Sequence, residues 1–117
     1  MRHRVQKIKL NKPRDHRYAM VRNLLTSLFA EGQIKTTDAK ATVVKAEAEK
    51  LITAVRRSSD AHNKIRTLQQ TLYTEDAQRR AMDYIAIAPQ SGAVRCTKCG
   101  HRAGDSALLS HVELINA

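Results

Sequence analysis

The sequence predicts an α+β fold: about four helices packed with a small mixed β-sheet, plus an extended basic N-terminal arm. Three observations carry this. Apolar residues recur at helical spacing in four stretches between residues 15 and 86. After Gly92 the period changes to strand-like alternation. The first fourteen residues are too polar and too basic to bury surface of their own. We therefore divide the chain into an extended basic arm, residues 1–14, and a single α+β domain, residues 15–117. A chain of 117 residues suits one domain with a modest core.

In the arm, Arg2, His3, Arg4, Lys7, Lys9, Lys12 and Arg14 recur at close spacing, and Pro13 biases Lys12 away from helix. Asp15 is the expected N-cap of the first helix. Val21, Leu24, Leu25, Leu28 and Phe29 give that helix one apolar face, and Gly32 is its natural stop. Gln33 to Thr36 reads as a short strand. Thr37 is expected to cap a long second helix, about 38–57, with Ala41, Val44, Ala48, Leu51, Ile52 and Val55 inward. Ser58-Ser59-Asp60 starts a third helix with Ile65, Leu68 and Leu72 apolar. Thr74 caps a fourth, running to about Ala86. Pro89, Ser91 and Gly92 mark a loop. Val94 to Thr97 and Leu108 to Ile115 alternate as two strands around a turn at 100–105.

The net charge is +10. Residues 1–22 hold eight Lys and Arg against the single Asp15, so +7 of the excess lies at one end. This is a basic arm on a nearly balanced domain, and it implies a polyanionic partner. No apolar run has transmembrane length, and no apolar signal-peptide core opens the chain, so the mature protein is expected to begin at Met1 or Arg2. The first helix resembles a membrane-surface helix, but its Val21–Phe29 face is better used as core. With three Tyr, one Phe and no Trp, the composition favours phosphate contacts and shape recognition over base stacking. Two cysteines without a secretion signal argue against a disulfide framework.

Five separated blocks then carry a family resemblance. They are Met1–Val5 with Leu10-Asn11, Pro13 and His16-Arg17; Arg22-Asn23-Leu24 with Thr26-Ser27-Leu28; Ile34, Thr36-Thr37 and Ala39-Lys40-Ala41; Ala48 to Thr53; and Arg95, Lys98, Gly100, Arg102, Gly104-Asp105 and Glu113-Leu114. In this order and spacing the chain resembles the bacterial-type large-subunit ribosomal protein seventeen family. The resemblance implies a structural, non-catalytic role on large-subunit rRNA, beside neighbouring ribosomal proteins near the peptide exit region, with no membrane and no small-molecule substrate. It implies a cytoplasmic ribosome, an organellar one being the other setting. The chain departs from the family pattern at Thr42, over residues 58–92, and at Cys96, Cys99 and His101.

The candidate rRNA-binding residues fall into three groups. Arg2, His3, Arg4, Lys7, Lys9, Lys12, Arg14, His16, Arg17 and Arg22 form the arm and its continuation on the first helix, where they neutralise phosphates. Thr36, Thr37 and Lys40 form a helix start that is either a plain cap or a cap that also holds phosphate; Asp38 opposes the second role. Arg95, Lys98 and Arg102 decorate the C-terminal hairpin, as solvated charge or as backbone contacts. No cofactor is expected. The sharpest chemical alternative is zinc, because Cys96-Thr97-Lys98-Cys99-Gly100 resembles one knuckle of a zinc ribbon. Structural zinc takes four ligands, no second CxxC exists, and only His101 and His111 are nearby. Both cysteines are therefore read as small buried hydrophobes in the sheet. A Cys-His nucleophile lacks any oxyanion hole or cleft. The other function class is a free nucleic-acid-binding protein, architectural or regulatory, with a zinc-knuckle-like hairpin.

Overall fold

The computed structural model describes residues 3 and 8–116. The expected contacts of Arg2, Arg4 and Lys7 lie outside the described residues. The elements follow as α1 (Arg14–Glu31), β1 (Gln33–Thr37), α2 (Asp38–Arg57), α3 (Ala61–Thr71), α4 (Glu75–Ile87), β2 (Val94–His101) and β3 (Leu108–Leu114).

Each helix follows from its apolar period. In α1, Leu25, Leu28 and Phe29 are buried, with Val21 and Leu24 packed beside them. Gly32 ends it at φ 83°, a left-handed position where a side chain would strain the backbone, and its N–H reaches the Leu28 carbonyl at 2.7 Å. The expected α2 face is buried in full. Asp60 and Thr74 cap α3 and α4 by accepting from the Asn63 and Ala77 N–H groups at 2.9 and 3.2 Å. Ile65, expected to be core, is 43% exposed, while Leu68 and Leu72 are buried.

Two helix starts differ from expectation. α1 begins at Arg14 behind Pro13, whose carbonyl accepts from the Arg17 N–H at 2.9 Å. Proline's fixed φ starts the helix there, so Asp15 lies in the first turn and does not cap. Thr37 does occupy the N-cap position of α2, but its side chain makes no cap bond. The Ser110 hydroxyl donates instead to Asp38 Oδ1 at 2.7 Å, fastening the start of α2 to a strand 72 residues away. Ser110 is fully buried, and this bond satisfies it.

The sheet has the order β1-β3-β2 and is antiparallel throughout, not mixed. A short turn joins β2 to β3, which only an antiparallel pair permits, and β3 runs against β1 from Gln33↔Glu113 to Thr37↔Leu109. Alternation puts Ile34, Cys96, Val112 and Leu114 on the face packed against the helices. Lys35, Arg95 and Thr97 are exposed on the other. β2 is longer than expected, reaching His101, with a bulge between Lys98 and Gly100. Tyr84 closes the core where the sheet meets α4. Its hydroxyl oxygen lies 2.9 Å from the Ala93 carbonyl and 2.8 Å from that of Ile115, and burial pushes the phenol above its ordinary pKa.

Candidate nucleic-acid interface

The first turn of α1 is built from Arg14, Asp15, His16 and Arg17. Cations at a helix start oppose the macrodipole, so only Asp15 helps the helix form. The residue choice makes sense if an external anion completes the site. Just before it, the described part of the arm is folded back rather than extended. The Lys12 N–H donates to the Lys9 carbonyl at 3.2 Å, and Leu10 and Asn11 both have positive φ, 54° and 53°. That is the φ signature of a type I′ turn. Asn tolerates it; Leu in this region costs about 1–2 kcal/mol. The expected extended arm is thus corrected over residues 9–12, because Asn11 accepts the left-handed conformation that a reversal needs.

Arg17 Nη1 reaches the Lys12 carbonyl at 3.4 Å and ties this turn to the helix. The Arg14 and Arg17 guanidinium carbons lie 5.5 and 5.8 Å from the centre of the Tyr18 ring. Lys9, Arg14 and His16 are exposed, Lys12 and Arg17 half-buried. His3 is also exposed. Arg14 and Arg17 are therefore brought together around Tyr18, with Arg17 also holding the Lys12 backbone. Arg22 is used inward. Its Nε donates to the Thr71 carbonyl at 3.0 Å and its guanidinium stacks on Tyr73 at 4.1 Å. The Thr26 hydroxyl accepts from the Tyr73 N–H at 3.1 Å and completes this brace between α1 and the α3–α4 loop.

At the start of α2, Thr36, Thr37 and Lys40 are all half-buried. Asp38 stands in the first turn, where a phosphate would otherwise sit. On the hairpin, Arg95 Nε donates to Glu113 Oε1 at 2.5 Å. Arg102 grips Asp105 through Nε and Nη2 at 2.9 and 2.6 Å. Hydrogen bonding from Arg102 holds the Asp105 carboxyl down to about 2, and the guanidinium is raised in turn. Lys98 is exposed and has no ion-pair partner among the described residues. Two of the three expected hairpin cations are thus already paired with carboxylates.

The zinc candidates do not converge. Cys96 packs toward the helices, while His111, adjacent in register to Val112, is on the opposite face. Cys99 is exposed at the bulge and Cys96 is half-buried against the core, so the expected burial holds in part for Cys96 and not for Cys99. Three residues apart on one strand, the two side chains fall on opposite faces by simple alternation, and the bulge after Lys98 leaves Cys99 outside the ladder. His101 Nδ1 lies 3.0 Å from the Ser106 carbonyl. Among the described residues no group of three or more His, Cys, Asp or Glu could hold a metal, and no helix is long and apolar enough to cross a membrane.

Sequence reasoning missed Tyr18 and Tyr73, having weighed only the number of aromatics. The four-residue spacing of Arg14, Tyr18 and Arg22 was the available signal.

Comparison with known proteins gives these residues a family. The family model for ribosomal protein L17 matches residues 20–115. The large ribosomal subunit protein bL17 of Carboxydothermus hydrogenoformans is 42% identical over 92% of this chain and 96% of its own. That of Desulforapulum autotrophicum is 38% identical over 98% and 97%. That of Akkermansia muciniphila is 38% identical over 99% and 86%. The chain belongs to the ribosomal protein L17 family.

Proposed function

We propose that this protein is a structural constituent of the large ribosomal subunit that binds rRNA and catalyses nothing. The observation that carries the reading is likeness over nearly the whole chain to large-subunit proteins, 42% identity with one of them. The charge agrees: +7 of a net +10 lies in residues 1–22. Arg2, Arg4, Lys7, Lys9, Lys12, Arg14 and Arg17 displace the counterions condensed on the RNA phosphates, with His3 and His16 as hydrogen-bond donors, and the released ions drive binding. Arg22 braces the helix behind them and adds charge. Thr36, Thr37 and Lys40 make a weaker contact, since Asp38 stands beside them. On the hairpin Lys98 is the principal contact; Arg95 and Arg102 approach RNA with their carboxylate partners attached. The working location is the cytoplasmic ribosome, among large-subunit proteins near the peptide exit region. Neither zinc nor any other cofactor is required by this role.

Co-sedimentation tests the reading. The tagged full chain should stay with large subunits through a high-salt wash. Release of the protein by that wash, with the subunits intact, would replace this reading with a free nucleic-acid-binding protein.

A further inference from the structure

Of the four aromatic residues, Phe29 and Tyr84 are buried, and Tyr18 and Tyr73 are 52% and 47% exposed. The core accounts for the first pair. Of the second pair, Tyr18 lies on α1 and Tyr73 in the loop between α3 and α4. Arg14, Tyr18 and Arg22 follow one another at four-residue spacing, which sets them in a single row along α1. Arg14 and Arg17 flank the Tyr18 ring at 5.5 and 5.8 Å, and Tyr73 extends the row by stacking on Arg22 at 4.1 Å. Cation and aromatic therefore alternate from Arg14 to Tyr73.

The row is also fixed in place. Arg22 is held by the Thr71 carbonyl, the Tyr73 backbone by Thr26, and Arg17 by the Lys12 carbonyl. A surface held in its working shape loses little freedom when a partner arrives. Its chemistry is specific. Guanidinium groups take phosphates, and exposed rings take flat π-faces. An acidic protein loop would pair with the arginines and leave the rings unused. A continuous RNA duplex keeps its base faces in its own stack, so it too would engage only the cations.

The geometry points to this row as a stacking track for unpaired RNA nucleotides, with bases on Tyr18 and Tyr73 and the adjoining phosphates on Arg14 and Arg17. The inference rests on the RNA-binding reading above and adds the kind of RNA segment that lies there.

The test compares two RNA oligonucleotides by fluorescence anisotropy with the full chain. One is a hairpin with an unpaired extension; the other is a fully paired duplex with the same number of phosphates. Tyr18→Leu should weaken binding of the unpaired RNA about tenfold and leave the duplex unchanged, while Tyr18→Phe should keep the parent affinity. The salt slope should not move, because every phosphate keeps its cation. Tyr73→Leu should act in the same direction. Since Tyr73 also braces Arg22, cross-linking of 4-thiouridine RNA to the Tyr73 segment of the parent provides the second readout there. Parent-like binding of the unpaired RNA by Tyr18→Leu would overturn the stacking track and leave phosphate binding standing. A parent chain with no salt-dependent RNA affinity would overturn both.

Discussion

Single residues here do more joining than their types announce. Tyr84 sits where the last turn of α4, the start of β2 and the end of β3 meet, and its one hydroxyl proton serves two carbonyls in alternation. Tyr84→Phe should keep the fold and lower stability by about 1–2 kcal/mol, measured by urea unfolding, because a carbonyl loses its donor. Asp105 gives a pH signature. Its carboxyl is lowered from 3.8 to about 2 in the folded chain. A depressed folded-state value means its contribution is present above the unfolded pKa and fades as pH falls from about 4 toward 2. The carboxyl carbon of Asp105 should accordingly titrate near pH 2 by NMR, and Arg102→Gln should return it toward its ordinary value. The Arg95–Glu113 pair was not legible in the sequence. Cross-strand partners depend on register, and register is a tertiary fact.

At the scale of elements, legibility follows how local the cause is. The four helices announce themselves through spacing within a dozen residues, and Asp60 and Thr74 cap where their type and position say they should. The start of α2 does not behave that way. Thr37 holds the N-cap position without a side-chain cap bond, and the first-turn Asp38 is fastened by Ser110, far along the chain. The bulge in β2 is similar. It moves the pairing of Gly100 and His101 with β3 by one residue, and nothing near the CxxC reveals it. The arm is the functional element at this scale. Removing residues 2–9 deletes Arg2, Arg4, Lys7 and Lys9 and spares the helix. Thermal unfolding should barely change, while the slope of log affinity against log salt for an rRNA fragment should shrink by roughly 0.7–0.9 for each phosphate that is no longer neutralised. An unchanged slope would show that the arm touches no phosphate.

For the whole molecule, charge and fold are nearly separate designs. The first 22 residues hold most of the positive charge, and the core lies almost entirely after them. That division was readable from the sequence, as was the α+β class. The tie between the turn at Lys9–Lys12 and α1 was not, because Arg17 meets the Lys12 carbonyl only once the chain has reversed. Nor was the withdrawal of Arg22 into a brace, which needed the distant Thr71 and Tyr73.

The strand order has a consequence in time. The central strand of the sheet, β3, is the last element of the chain, and both β1 and β2 pair only with it. During synthesis β1 therefore waits, its edge unpaired, through three helices and a strand. Ser110, which fastens α2, arrives equally late. The basic end is made first and the body that anchors it is locked last. A chain ending at residue 107 should keep helical circular dichroism but lose cooperative unfolding. The order of manufacture thus leaves an interval in which the cations are already exposed while the scaffold behind them is still incomplete.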